Sequence, residues 1–381
     1  MGGVKTQKQA STLTKTYNEH MLGLISSFFS SFLVTLLILR YQHLHQHLSH
    51  DHDLSGPQKF HKNAVPRIGG LSILAGIFTV LILFWLTQNN VFTLLMIFFL
   101  CAIPTFTIGF TEDITKQVGV KLRLIFTAIS AALITYLLAF KITQLDIRLV
   151  DYVFALPFVG FAFTVFAITG LANAYNIIDG FNGLAGMVAV ITLIAIIYVC
   201  VKVSDFALVA IALVMIGSII GFFIWNYPRG LIFLGDGGAY LIGFWIAALS
   251  ILLVARHSDV SPWFALLING YPVVETLFTI YRRIFHHNTS PGHPDGLHFH
   301  SLLYRRVVNP AYAKDEKESY MNNARTAPFL WVLSGLSAIP AVLWWGQTFI
   351  LILFFIVFIL IYILLYKTLV RFQVPRWLRN L

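Results

Sequence analysis

Residues 206–225 read FALVAIALVMIGSIIGFFIW, an apolar stretch of twenty residues without a charged side chain. About 20 apolar residues in a helix span the roughly 30 Å hydrocarbon core of a bilayer. Comparable stretches predict about eleven transmembrane helices, at 21–40, 68–86, 91–110, 122–140, 155–172, 184–201, 206–225, 239–255, 263–281, 327–345 and 348–369. The sequence therefore predicts an all-α, polytopic integral membrane protein.

The composition agrees with a chain that lipid surrounds. Of the 381 residues, 58% are hydrophobic and 11% are charged, whereas an ordinary soluble domain has about 25% charged residues. Cys101 and Cys200 both lie in apolar stretches. Isolated apolar cysteines indicate neither a disulfide framework nor a metal pair.

The positions of lysine and arginine predict the orientation, because cytosolic loops carry the excess of positive charge. With the N-terminus outside and the C-terminus cytosolic, 19 of the 26 basic residues face the cytosol. We predict an extracytoplasmic tail at 1–20, a transmembrane domain at 21–370 and a cytosolic tail at 371–381. The cytosolic loops are predicted at about 41–67, 109–123, 173–186, 226–238 and 282–326. The net charge of +10 also suits anionic lipids and phosphorylated ligands, and nothing predicts nucleic acid binding.

An acidic pair ends the third predicted span. The segment GFTEDITKQVGVKLR (109–123) contains Glu112 and Asp113. Adjacent carboxylates repel each other, so they favour a divalent cation or a bound proton. The alternative is an ordinary solvated loop, in which Lys116 and Lys121 balance the acids.

A second polar segment, LANAYNIIDGFNGLAG (171–186), joins the fifth and sixth spans. Three-residue spacing would place Asn173, Asn176 and Asp179 on one helix face. Asn182 follows in a glycine-rich turn whose backbone amides are accessible to a ligand. The alternative is a helix-ending turn rich in Asn and Gly, but four polar side chains beside lipid favour a functional site.

Two further segments carry candidate ligands. In NYPRGLIFLGDGGAYLIGF (226–244), Asp236 stands among glycines just before the eighth predicted span. A carboxylate at membrane depth needs a partner, and a divalent cation is one. The loop HHNTSPGHPDGLHFHSLLYRR (286–306) concentrates histidine and arginine, which suit phosphate oxygens. A zinc site at His298 and His300 is the alternative, although the spacing fits no standard zinc pattern.

Together with HKNAVPRIGGL (61–71), these segments resemble the polyprenyl-phosphate N-acetylhexosamine-1-phosphate transferases, glycosyltransferase family 4. The motifs that carry the resemblance are PRIGG at 66–70, GFTEDI at 109–114, NAYNIIDGFNGLAG at 173–186, GDGGAYLIGF at 235–244 and HPDGLHFHSLL at 293–303. Because five motifs occur in order on one predicted face, the joint pattern is specific.

The resemblance implies transfer of N-acetylhexosamine 1-phosphate from a UDP-sugar to undecaprenyl phosphate, with release of UMP. The expected cofactor is Mg²⁺, with Mn²⁺ as the alternative. The expected partners are UDP-N-acetylhexosamine, undecaprenyl phosphate and membrane lipids, and a homodimer is one open arrangement. The expected location is the bacterial inner membrane, with the active site on the cytosolic face. Direct attack by the lipid phosphate and a two-step route both stay open.

Carried over by motif, the resemblance implies a role for each site residue. The catalytic residues would be Glu112, Asp113, Asp236 and His298, and the metal ligands Asn176 and Asp236. The nucleotide would contact Asn173, Asp179, Gly180, Asn182, Asn226 and Phe233. The phosphates would contact Lys62, Lys121, His298 and His300.

The chain departs from the family pattern at two places. Glu112 stands where the acidic pair usually has its first aspartate. The last motif has His298, Phe299 and His300, where the peptidoglycan-precursor branch usually shows three consecutive histidines. We therefore expect the branch that begins O-antigen, common-antigen or teichoic-acid-type glycans, with UDP-N-acetylglucosamine as donor. The alternatives are the peptidoglycan-precursor branch and a flippase or transporter of lipid-linked sugars, although a transporter should place its ionisable groups near the bilayer midplane.

Overall fold

A computed structural model of the protein describes residues 2–49, 65–154, 156–287, 297–308 and 316–371. Within these ranges the chain is helical, without a β-strand, and two π-helical turns occur at Arg283–His287 and Tyr304–Val308. The α-helices are α1 (Gly2–Arg40), α2 (Gln42–Ser49), α3 (Gly70–Leu86), α4 (Phe92–Thr115), α5 (Val120–Leu137), α6 (Arg148–Phe154), α7 (Pro157–Ile178), α8 (Leu184–Lys202), α9 (Phe206–Asn226), α10 (Gly235–Arg256), α11 (Pro262–Ile268), α12 (Gly270–Arg282), α13 (Phe299–Leu303), α14 (Glu316–Leu343) and α15 (Thr348–Val370).

The helices confirm the prediction of an all-α, polytopic membrane protein. In the described part of the chain, nine helices are long and apolar enough to cross a bilayer, and the number is ten if the bent pair α11–α12 is counted as one span. The shorter apolar helix α3 lies where the second span was predicted. Each of the eleven predicted spans therefore has a helix at its position, while the sidedness of the termini stays a prediction.

The prediction of one continuous helix at 263–281 is wrong. Helices α11 and α12 meet at Asn269, with a bend of 77° between them. Pro272 has no N–H to donate to the carbonyl of Ile268. The Thr192 hydroxyl lies 3.4 Å from that carbonyl oxygen, and 3.0 Å from the carbonyl oxygen of Val188. The break turns α12 away from the axis of α11.

Three helices reach further into the predicted loops than the hydropathy pattern indicated. Helix α4 continues to Thr115, α7 continues to Ile178, and α10 already begins at Gly235. A helix satisfies its own backbone hydrogen bonds, so it continues through a membrane boundary at little cost. The acidic pair, Asn173, Asn176 and Asp236 consequently stand on helices.

Helix α10 is the centre of the bundle. Every residue from Gly235 to Leu253 is buried, and α10 packs mainly against α4 and α7. The Trp245 indole N–H donates to the carbonyl of Ile211 at 3.3 Å. A helix that is apolar on all sides belongs in the interior, and its enclosure holds the N-terminal end of α10 firmly.

The two ends of the bundle differ in their polar groups. At the end where α9 begins and α10 finishes, Asp205 accepts a hydrogen bond from the Leu208 N–H at 3.2 Å. Its other oxygen lies 3.3 Å from Arg256 Nη1 and 3.1 Å from His257 Nε2. The sequence motifs lie at the opposite end.

Candidate active site

The first turn of α10 is held by Asp113, near the end of α4. Its Oδ1 accepts a hydrogen bond from the Asp236 backbone N–H (2.8 Å), and its Oδ2 accepts one from the Gly237 N–H (2.9 Å). The first N–H groups of a helix have no intrahelical partner, so a buried carboxylate there satisfies two of them. Asp113 thereby fixes the backbone that carries Asp236.

Glycines bring α4 and α10 into backbone contact at the same point. A Cβ atom on Gly109 would lie 2.7 Å from the backbone nitrogen of Gly237. Gly235 has φ of +76°, and a Cβ atom there would lie 2.0 Å from the carbonyl oxygen of Arg67. These positions exclude a side chain, so packing alone accounts for glycine in two of the motifs.

Replacing Gly109 with alanine is expected to destabilise the protein by about 1–3 kcal/mol, because the methyl group overpacks a backbone contact. Gly170→Ala on α7 is the matched control, since a Cβ atom there meets nothing within 4 Å. Thermal unfolding in detergent should show a lower Tm for Gly109→Ala and an unchanged or higher Tm for Gly170→Ala. Equal Tm values for both variants would contradict the contact.

The segment before α3 pairs with the segment before α10. The Phe233 N–H donates to the carbonyl of Pro66 (2.8 Å), and the Gly69 N–H donates to the carbonyl of Phe233 (3.0 Å). The Gly70 N–H donates to the carbonyl of Leu234 (2.8 Å). The PRIGG and GDGG motifs are therefore adjacent, with the half-buried Phe233 side chain at their junction.

Two arginines face the Asp236 carboxylate. Oδ2 forms an ion pair with Arg123 of α5, and Oδ1 lies 3.5 Å from Arg67 Nη2. The guanidinium of Arg123 also lies 6.0 Å from the ring centroid of Tyr240. An acid in a membrane bundle needs a positive partner, and the structure supplies two that the sequence alone did not assign to Asp236.

Arg67 acts on the acids of three motifs. Beyond its ion pair with Asp236, its guanidinium interacts electrostatically with Asp113 and Asp179. Burial raises the pKa of the Asp179 carboxyl to about 7, and the Arg67 charge opposes that rise. The three motifs therefore share one electrostatic environment.

Glu112 and Asp113 have different surroundings, although they are adjacent. Glu112 is half-buried, and its Oε2 accepts a hydrogen bond from the Val118 N–H at 2.7 Å. Successive residues on a helix point about 100° apart, so the two side chains diverge. Glu112 closes the turn after α4, whereas Asp113 reaches α10.

The asparagines at the end of α7 lie along its polar face, as their spacing predicted. Asn173 Oδ1 accepts a hydrogen bond from the Tyr240 hydroxyl at 2.8 Å. Asn176 lies one turn further along and is half-buried, and Asp179 follows the last helical residue. This face of α7 borders the start of α10.

Asn182 and Asn226 connect the α7–α8 loop with the α9–α10 loop and with helix α14. The Gly183 N–H donates to Asn226 Oδ1 (2.6 Å), and Asn226 Nδ2 donates to the carbonyl of Ile232 (2.7 Å). The Asn182 N–H donates to Asn323 Oδ1 at 3.0 Å. Asn182 and Asn226, both predicted to contact the nucleotide, therefore also fix the conformation of these loops. No sequence motif singled out Asn323, which lies in the predicted loop 282–326.

The two histidines of the last motif lie beside the glycine-rich turn. Their rings, in His298 and His300, stack with centroids 5.2 Å apart and planes 9° apart. A Cβ atom on Gly180 would lie 2.7 Å from His300 Nε2. His298 Nδ1 lies 3.0 Å from Oε1 of the fully buried Glu275. The motifs assigned no role to Glu275, so this contact is visible only in the structure.

The two predicted phosphate-binding lysines are less defined. Lys121 is exposed on the first turn of α5, two residues before Arg123. Lys62 lies outside the described residues, so its role stays a prediction.

The donor set suits a hard, oxygen-liganded cation. Mg²⁺ binds through one or two carboxylates together with substrate phosphates and water, and Asp236 with Asn176 offers such oxygens. Zinc requires three or four convergent nitrogen, sulfur or carboxylate ligands. Among the described side chains, no three His, Cys, Asp or Glu residues converge in that way.

The amino-acid sequence matches a known protein family and several of its members. The model of "Glycosyl transferase family 4" matches residues 95–254, from α4 to the end of α10. A probable undecaprenyl-phosphate N-acetylglucosaminyl 1-phosphate transferase of Bacillus subtilis is 26% identical over 75% of this chain and 78% of its own length. The undecaprenyl-phosphate alpha-N-acetylglucosaminyl 1-phosphate transferase of Thermotoga maritima is 26% identical over 67% of this chain and 73% of its own.

The sequence is also similar to transferases that are named for a different sugar phosphate. The phospho-N-acetylmuramoyl-pentapeptide-transferase of Lactobacillus gasseri is 30% identical over 66% of this chain and 81% of its own length. The similarity thus covers most of both chains, well beyond the residues that the family model matches. This membrane protein is a transferase, and it belongs to glycosyl transferase family 4.

Proposed function

We propose that the protein transfers N-acetylglucosamine 1-phosphate from UDP-N-acetylglucosamine to undecaprenyl phosphate. An oxygen of the lipid phosphate bonds to the sugar-linked phosphorus of the donor, and the bond from that phosphorus to UMP breaks. The observation that carries the proposal is the convergence of Asp113, Asp236, Arg67 and Arg123 at one end of the bundle. Phosphoryl transfer between anions needs mainly positioning and charge neutralisation, and these groups offer both.

The site residues have two proposed roles: some would hold the Mg²⁺ ion, and others would neutralise the negative charge of the phosphates. Asp236 and Asn176 would hold Mg²⁺, which when bound supplies positive charge to the diphosphate oxygens. Asp113 positions Asp236 through the backbone of α10. The Asp236 carboxylate would exchange its arginine partners for the cation, leaving Arg67 and Arg123 to neutralise phosphate. Phosphate has its second pKa near 6, so the attacking group needs no general base.

The donor side is assigned to the loops between α7 and α8 and between α9 and α10. Asn173, Asp179, Gly180, Asn182, Asn226 and Phe233 would line the uridine site. His298 and His300, with Lys62 and Lys121, would contact the phosphates. The proximity of His300 to Gly180 supports a phosphate site next to the nucleotide site.

The last motif favours N-acetylglucosamine over the peptidoglycan precursor. Phe299 is 4% exposed, and its ring packs at 5.2 Å from that of Tyr362. The position between the two histidines therefore faces the core of this chain, whereas the peptidoglycan-precursor branch usually has a third histidine there. The names of the Bacillus subtilis and Thermotoga maritima relatives favour the same donor.

UMP release by the purified protein tests the proposed reaction. The assay would contain undecaprenyl phosphate, Mg²⁺ and one UDP-N-acetylhexosamine at a time, with and without EDTA. We expect lipid-dependent, EDTA-sensitive release with UDP-N-acetylglucosamine. Release with UDP-N-acetylmuramoyl-pentapeptide alone would move the protein to the other branch. Folded protein inactive with every donor would contradict the proposal and favour the transporter alternative.

The proposed cytosolic site predicts the sidedness of two loops. Single cysteines at Gly119 and Lys202 would lie at opposite ends of the bundle, since Gly119 precedes α5 on the motif side and Lys202 ends α8. The native cysteines are buried. In intact spheroplasts, an impermeant maleimide should label Lys202→Cys, and Gly119→Cys should react only after permeabilisation. The reverse pattern would place the motifs outside.

A further inference from the structure

Glu275 is a buried acid in the second half of the broken span, on α12. Its exposed fraction is 0%. Ionisable groups inside a membrane bundle are costly, so they mark a function or a specific partner. None of the roles proposed above uses this residue.

Both oxygens of Glu275 accept hydrogen bonds. Oε1 lies 3.0 Å from His298 Nδ1 and accepts from the Phe299 N–H at 3.2 Å. Oε2 accepts from the Tyr362 hydroxyl at 2.7 Å. A backbone N–H can only donate, so Oε1 acts as an acceptor, and the ring nitrogen that faces it carries the proton.

The orientation of His298 follows from this contact. With Nδ1 directed to Glu275, Nε2 is the ring nitrogen left for another group. The ring is stacked on His300, whose Nε2 lies against Gly180 of the glycine-rich turn. A second-sphere partner that fixes the tautomer and orientation of a histidine controls what its other nitrogen can do.

We infer that Glu275 is a positioning residue for the transfer reaction: it holds a proton on Nδ1 of His298 and so directs Nε2 to the donor phosphates, whose oxygens accept a hydrogen bond once Nε2 also carries a proton. The inference rests on the proposed function, because it concerns how His298 serves that reaction. Glu275 itself contacts no substrate. It acts on the reaction through the imidazole ring of His298.

The competing role is purely structural, since the hydrogen bonds of Glu275 also join the segment before α13 to α12 and α15. Tyr366 provides a matched comparison. Its hydroxyl donates to the carbonyl of Leu297 at 3.1 Å, so it holds the same segment from α15 through a backbone carbonyl. Tyr366→Phe should therefore lower Tm with little change in kcat.

Kinetics of the Glu275→Gln variant separate the two roles. We expect kcat for UMP release to fall about 100-fold, the upper range for loss of a partner that orients a histidine, with KM for the UDP-sugar changed less than about threefold. Because Glu275 acts through His298, adding Glu275→Gln to His298→Ala should lower kcat no further. A lower Tm with wild-type kcat, or additive losses in the double variant, would overturn the inference.

A spectroscopic measurement decides the inference even if the proposed reaction is wrong. In protein labelled with ¹⁵N-histidine, the His298 signals, assigned by their loss in His298→Ala, should show a protonated Nδ1 in the wild type. They should change tautomer or average between tautomers in Glu275→Gln and stay unchanged in Tyr366→Phe. An unprotonated Nδ1 in the wild type would refute the inference, whereas a wild type without UMP release would refute only the proposed function.

Discussion

Replacing Asp236 with asparagine is expected to lower metal-dependent UMP release by about 1,000-fold, the upper range for removing one preorganised electrostatic contact from a transition state. The substitution keeps the size of the side chain but removes its charge. The variant should stay folded, because the Asp113 contacts involve the backbone of residue 236 rather than its side chain. Titration with Mn²⁺ followed by electron paramagnetic resonance should show weaker binding.

Asp205→Asn is the matched control for this variant. Asp205 also pairs with an arginine, but at the opposite end of the bundle. Asparagine can keep the helix cap and loses only the charge pairs with Arg256 and His257, which should cost no more than about 1 kcal/mol of stability, with UMP release and Mn²⁺ binding unchanged. If Asp236→Asn bound Mn²⁺ as tightly as the wild type, Asp236 would not be a metal ligand.

The second large effect is expected for Asp113→Asn. An asparagine keeps one acceptor oxygen, but its NH₂ group would face a backbone N–H donor at the start of α10. A buried donor without an acceptor costs about 1–3 kcal/mol, and the displaced first turn would misplace Asp236. We expect a lower Tm together with a loss of UMP release of about 100-fold or more.

Glu112→Gln makes the same change of charge one residue away. Its amide oxygen can still accept from the Val118 N–H, so we expect UMP release within about fivefold of the wild type, no more than the loss of one ordinary hydrogen bond would cause. Similar effects of the two substitutions, whether both mild or both severe, would contradict the division of roles between these acids. The comparison also tests the prediction from the family motif that Glu112 is catalytic.

The sequence by itself determined the class of fold and the family. Apolar stretches of span length predicted a helix at each position because the hydrocarbon core satisfies no backbone polar group, so a chain must cross it as helix. The five motifs indicated the family because their order along the chain is a property of sequence alone. The three-residue spacing of Asn173 and Asn176 likewise predicted their common face.

Only the tertiary structure decided which groups meet. Hydropathy did not reveal the break at Asn269, since both halves of that span are apolar and Pro272 leaves the carbonyl of Ile268 without its helical partner. Nor could residue spacing show that Arg123 faces Asp236 or that Glu275 faces His298, because these pairs are joined through packing of separate helices. Long-range charge pairs carry no local periodicity, and their geometry exists only once the helices have packed.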